Sequence, residues 1–114
     1  MKKIVLSALA LLLSSAALAD SPIRLTPCGY QQITSISTAK SLTVPTTCGA
    51  TPVTLARITI EAQAVRYRDD GTAPTASVGM PMAVAASLDY TGALTKIQFI
   101  EQTSGGIVNV SFYH

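Results

Sequence analysis

Histidine chemistry in this chain would have to run through His114, which is the only histidine and also the last of the 114 residues. Chain ends fray and hold geometry poorly, so Ser-His-Asp and Cys-His catalytic arrangements are not expected, nor is a zinc site built on imidazole. The carboxylates Glu61, Asp69, Asp70, Asp89 and Glu101 supply the residue type that glycoside hydrolysis uses in pairs. Three of the five lie beside turn signals, however, where solvated carboxylates are ordinary. Asp69-Asp70-Gly71 lacks the alternating oxygen ligands and distal glutamate of an EF-type calcium loop, and it reads as a turn. No catalytic, cofactor-binding or metal-ligating residue is therefore assigned. The chain reads as a non-enzyme that needs no cofactor.

Two constellations remain. Arg66 and Arg68 fall on the same side of a predicted strand and adjoin Asp69 and Asp70. These four residues are the candidate partner-binding cluster. The competing reading is a solvated face whose arginines pair with the neighbouring acids and with Glu101, an arrangement that contributes little stability. The second constellation is Cys28 with Cys48, the only cysteines. They lack the C-x-x-C spacing of a redox-active pair and the further ligands that a zinc site requires. One structural disulfide is the expectation, because an even cysteine count in an exported chain points to a bridge.

Export is read from the N-terminus. Met1-Lys2-Lys3 is a short positive segment, Ile4 to Leu13 is an apolar run broken only by Ser7, and Ala17-Leu18-Ala19 is a small-x-small cleavage site. Residues 1–19 are the expected Sec signal peptide, and residues 20–114 a single β-sandwich domain. The apolar stretch is shorter than the roughly 20 residues that span a bilayer, so no membrane span is expected in the mature form. The signal holds two of the eight basic residues and none of the six acidic ones, leaving six of each behind. A balanced charge gives no footprint for nucleic acid, and none is expected as a partner. The expected location is periplasmic, extracellular or on a virion.

The elements that must position these residues read as strands throughout. Pro22 and Pro27 suit an extended lead-in. Tyr30 to Ser37 and Ser41 to Val44 form two short runs flanked by the cysteines, so a bridge would pin the outer ends of a hairpin. Val53 to Arg68 changes phase: Ile58, Ile60, Ala62 and Ala64 share one face, whereas Val65 and Tyr67 lie on the other parity. A period of two cannot do this without interruption, so a β-bulge or strand break is predicted near Gln63–Ala64. Asp69 to Thr75 is a loop, and Tyr67 is placed in core or inter-sheet packing. Met80 to Ala85, Ser87 to Tyr90, Lys96 to Gln102 and Ile107 to Tyr113 complete the set. About seven short strands without a crossover helix predict an all-β fold, an antiparallel β-sandwich or a jelly-roll-like wrap, closed by one disulfide.

The stretch from Ala64 to Pro81, AVRYRDDGTAPTASVGMP, resembles a segment of small β-rich proteins of tailed phages and prophages, typically described as virion-associated or hypothetical. The similarity continues through Leu88-Asp89-Tyr90-Thr91-Gly92, Ile97 to Glu101 and Val108 to Tyr113, over half of the predicted domain. It implies architecture and origin and brings no catalytic residues. An export signal and a disulfide depart from that pattern, since tailed-phage virion parts assemble in a reducing cytoplasm. The expected function is that of an exported, non-enzymatic, phage-type β-module. It would act through protein–protein contact with itself or with an envelope or virion component, in self-assembly, adhesion or a structural role, and a homo-oligomer is consistent with it. The alternatives are a pilin-like subunit using donor-strand pairing and a small carbohydrate-binding module.

Overall fold

The computed structural model describes residues 24–46 and 48–114. The predicted signal peptide and its cleavage site lie outside the described residues. Eight strands follow one another: β1 (Pro27–Ile33), β2 (Lys40–Ser41), β3 (Leu55–Glu61), β4 (Val65–Arg68), β5 (Met80–Met82), β6 (Ser87–Tyr90), β7 (Gln98–Glu101) and β8 (Ile107–Tyr113). They form two four-stranded antiparallel sheets, ordered β1-β8-β3-β6 and β2-β7-β4-β5. Successive strands thus alternate between sheets except at β4–β5, and the first and last strands pair. That order is the double Greek key of a jelly roll, the second of the two architectures expected.

Side-chain alternation decides which face each strand buries. In β8, Val108, Val110 and Phe112 are buried and the intervening Asn109 and Ser111 face outward, as the pleat requires. Ala56, Ile58 and Ile60 of β3 join them, and Ile97 and Phe99 from the β7 segment close the core from the other sheet. β8 lies in the middle of its sheet, paired to β1 from Gly29↔Phe112 to Ile33↔Val108 and to β3 from Leu55↔Tyr113 to Glu61↔Ile107.

The phase change in the longest predicted strand is a strand break. Gln63 N donates to Glu61 O at 2.9 Å, closing a γ-turn around Ala62, whose φ is +71°. The chain there leaves one sheet for the other, so Ile60 and Val65 both point into the core from opposite sides. The face predicted to run on through Ala62 and Ala64 ends at Ile60, and Ala62 is exposed.

A second positive φ, +66° at Ala85, sits where β6 begins. Ala86 N donates to Ala83 O at 3.0 Å in a tight turn, and Ala85 N and Ala86 O both bond Ile60, at 2.8 and 3.1 Å. Two residues thus oppose one, the bulge in which glycine is normally found at the first position. Left-handed backbone costs an L-residue roughly 1–2 kcal/mol, part of which glycine returns as unfolded-chain entropy. Ala62→Gly and Ala85→Gly are each expected to stabilise the protein by about 0.5–1 kcal/mol, read as a higher urea midpoint at unchanged slope.

The disulfide is present, with Cα atoms of Cys28 and Cys48 5.5 Å apart. It does not pin a hairpin. β1 pairs with β8 and β2 with β7, so the two runs that the cysteines flank belong to different sheets. Ile33, Ile36 and Leu42 are all buried, and the chain between them crosses over the core instead of folding back on itself. The bridge therefore ties one sheet to the segment that returns from the other. Cys28 is the extra residue in a register shift between Pro27 and Gly29. Near Cys48, the Thr51 hydroxyl hydrogen-bonds His114 Nδ1, and Thr26 and His114 exchange backbone bonds at 2.9 and 3.0 Å. The terminal histidine is thus held in a structural cluster beside the bridge.

Candidate functional site

The predicted cluster spans the end of β4, with Arg66 and Arg68, and the start of the β4–β5 connection (residues 69–79), with Asp69 and Asp70, and the structure turns Arg66 away from the other three. Arg66 and Arg68 do extend from the same side of β4, opposite to Val65 and Tyr67. Arg66 reaches back over the loop, where Nε donates to Ala76 O at 3.1 Å and Nη1 to Gly79 O at 2.8 Å. With its amide oriented so that the oxygen faces Arg66, Gln102 accepts from Nη2 at 3.1 Å and from Nε at 2.7 Å. Arg66 is therefore a clamp on the loop, with its guanidinium spent on carbonyls. Arg68 forms a two-pronged ion pair with Asp70, whose Oδ1 also accepts from Thr72 N at 3.2 Å. Asp69 accepts a hydrogen bond from Tyr90 Oη at 3.0 Å, which ties the loop to β6.

Pairing of the arginines with nearby acids thus holds for Arg68 alone. Glu101 takes no part: its Oε2 accepts from Gly105 N and Gly106 N at 3.0 and 3.2 Å and shapes the β7–β8 turn. Arg68, through its hydrogen bond first and then Thr72, holds the Asp70 carboxyl below its ordinary range. Arg57 does the same for Asp89 through bonds of 2.8 and 3.1 Å. A depressed carboxyl contributes stability above the unfolded pKa and loses it as pH falls through the folded value. Both pairs are open to solvent, so that contribution is small. Partial burial, and then the bond to Asp69, raises the Tyr90 phenol above its usual value.

The loop itself is built as a rigid platform. Thr75 and Val78 exchange backbone bonds at 2.9 and 3.2 Å, the Thr75 hydroxyl accepts from Val78 N at 3.0 Å, and Pro74 is buried beneath. Gly79 (φ +145°) lets the chain pass close over β4, because a Cβ there would stand 3.0 Å from Tyr67 O and 3.2 Å from both Arg66 Cβ and Pro74 Cβ.

What this platform presents is apolar. Val78 is 52% exposed, Met80 58% and, beyond β5, Val84 50%. Beside them opens a cleft of ≈ 250 Å³ lined by Arg68, Asp69, Asp70, Val78, Gly79 and Met80. Across Met80 lies a second cleft, of ≈ 220 Å³, walled by Tyr67, Pro81, Met82, Ala86 and Leu88 among others. Tyr67 packs on Phe99, its cross-strand neighbour in the same sheet, with ring centroids 6.1 Å apart, and so takes the core-side position expected for it, while its free side faces this cleft. Val78, Met80 and Val84 were hidden in the sequence by its alternation, which makes every valine or methionine next to a strand look like core. A signal did exist, because Pro81 marks an edge strand, and edge strands expose more of their side chains.

Fold and face together define a jelly-roll domain with an apolar, ion-pair-rimmed surface on its β5–β6 side. Among the described residues no group of three or more His, Cys, Asp or Glu side chains is placed to hold a metal ion, and no helix is long and apolar enough to cross a membrane. Compared with protein-family models, curated proteins and solved structures, the chain matches none.

Proposed function

We propose that this chain is an exported, non-enzymatic β-module that works by protein–protein contact, and that the contact surface is the face made by Val78, Met80 and Val84. The observation that carries the reading is the exposure of Val78 on a loop clamped by Arg66 and undercut by Pro74, of Met80 at the start of the strand that follows, and of Val84 just beyond that strand. A preorganised apolar patch loses little entropy on docking, and a polar rim such as Arg68 and Asp70 is typical of contact sites. The resemblance of Ala64 to Pro81 to a phage-type segment supports the same reading, since that segment is the one that builds the platform. The partner is a second copy or an envelope or virion protein.

The test is retention of the purified, disulfide-bonded protein by cell-envelope fractions, together with its self-association in sedimentation. Val78→Asp with Met80→Asp is expected to weaken the contact at least about 30-fold by placing charges in a desolvated site, with stability nearly unchanged because both side chains are exposed. Unchanged binding by a folded double variant would overturn the assignment of the face. The donor-strand alternative gains no support from β8, which is already paired on both sides, by β1 and β3, with Val108, Val110 and Phe112 buried in the core.

One observation favours the carbohydrate-binding alternative. On the outer side of the first sheet, Asn109 Oδ1 accepts from Tyr30 Oη at 2.5 Å and from Gln32 Nε2 at 3.1 Å, and Asn109 Nδ2 donates to Glu61 at 3.0 Å. Tyr30 is 65% exposed above this flat polar lattice. A glycan array on which Tyr30→Ala abolishes a wild-type signal would establish that reading in place of the first.

A further inference from the structure

Each sandwich edge is a strand with one unpaired side, and natural edges carry devices that keep other strands away. β2 is two residues long, and β1 is interrupted by the register shift at Cys28. In β5, Pro81 stands opposite Arg66 of β4. A proline cannot complete a hydrogen-bonded pair, so its nitrogen faces outward and the free side of β5 lacks a donor. β6 carries no proline and is regular from Ser87 to Tyr90, its bulge at Ala85 and Ala86 lying before the strand. Ile60 of β3 bonds Ala85 and Ala86 at the bulge, and alternation from that point makes Ile58↔Leu88 and Ala56↔Tyr90 the hydrogen-bonded pairs. The N–H and C=O groups of Ser87 and Asp89 therefore point away from β3. Among the described residues no strand lies beyond them.

We propose that the open edge of β6 joins a second copy of this chain, antiparallel about a two-fold axis through Leu88. This deepens the contact reading above by naming one partner and the strand that receives it. In that register Ser87 of each copy faces Asp89 of the other, exchanging both backbone bonds, and Leu88 meets its own mate at the closely spaced position. The side chains are self-complementary. The Ser87 hydroxyl donates to an Asp89 carboxylate already neutralised within its own copy by Arg57, so the usual like-charge penalty at a shared edge is removed. The predicted mature chain carries six basic and six acidic residues, which leaves no long-range repulsion between copies. Leu88 also lines the second cleft, whose other wall holds Met80. Pairing at β6 brings the two clefts together and covers apolar surface that a lone strand addition at β1 would leave exposed. Four strands on each side become one eight-stranded sheet.

Sedimentation of the full, disulfide-bonded protein up to about 1 mM tests this. Wild type is expected to show a monomer–dimer equilibrium. Asp89→Ala removes the ion pair but keeps the outward N–H, and dimerisation should survive within about threefold. Asp89→Pro removes the same ion pair and the donor too, and dimerisation should weaken by about tenfold or more. A proline fits here because Leu88 before it is already extended. Should Asp89→Pro fail to fold, the register supplies a second test. Ser87→Asp faces Asp89 of the other copy and should weaken the dimer, and Ser87→Lys should tighten it at low salt. A monomer at every concentration, or a dimer indifferent to Asp89→Pro and to both Ser87 variants, overturns the proposal. If the protein is monomeric yet envelope retention is still lost in the Val78→Asp/Met80→Asp variant, the contact face stands and only the β6 pairing falls.

Discussion

Phe99→Ala is expected to lower the unfolding free energy by about 3–5 kcal/mol, the largest effect of any single substitution considered. Phe99 is fully buried at the centre of β7, which pairs with β2 on one side and β4 on the other. Its removal leaves a void between two sheets that cannot close without shearing both, so the cavity cost adds to the lost transfer energy. Small domains have only about 5–15 kcal/mol in total, so the variant should be partly unfolded at moderate urea concentrations where wild type is native. Phe99→Leu, which fills most of the space, should cost about 1–1.5 kcal/mol. The effect also reaches the candidate site: Tyr67, 6.1 Å from Phe99, loses its backing and is free to tilt into the second cleft. A folded Phe99→Leu protein should therefore show altered Tyr67 ring signals in NMR, while those of Tyr30, on the outer side of the first sheet, stay in place.

Removing the disulfide comes next in size. Cys28 and Cys48 are 20 positions apart, and in the chain-entropy account closing a loop of that length stabilises by about 3 kcal/mol. For a domain of this size that corresponds to a fall in Tm of roughly 12–24 °C on reduction, or in the Cys28→Ala/Cys48→Ala double variant. Because the bridge joins the bulged start of β1 to the segment beside Thr51 and His114, loss should appear first at that end. Amide exchange from residue 28 to Gln32 should accelerate well before exchange in β3 or β8. Uniform acceleration across both sheets would show instead that the bridge acts on the whole unfolded chain, with no local anchoring.

Much of this fold was legible in the residues because it is written in period two. Val108, Val110 and Phe112 alternate with Asn109 and Ser111, and the ranges Ser87–Tyr90 and Ile107–Tyr113 read from sequence coincide with β6 and β8. The parity change between Ile60 and Val65 announced the crossing between sheets. The partner of each strand was not legible. Local pattern says nothing about which sheet a strand joins, so the cysteine-flanked runs looked like a hairpin although they lie in opposite layers. The site was legible only in part. Arg68, Asp69 and Asp70 line one cleft, but Arg66 is consumed by Ala76 and Gly79 carbonyls, contacts set by the loop's path and invisible to spacing. The apolar face escaped because exposure of Val78 and Met80 follows from their place at an edge, a property of the assembled sheet.

The proposed contact face can be tested most directly through its two methionines, which lie two residues apart in β5 with Met80 58% exposed and Met82 7%. The measurement is the rate of peroxide oxidation of each, by mass spectrometry, in dilute protein and in protein retained on the envelope fraction or associated with itself. The account predicts that Met80 oxidises fast when dilute and is protected several-fold or more in the bound state, while Met82 stays slow throughout. A Met80 that oxidises equally fast in both states would contradict a protein contact at this face.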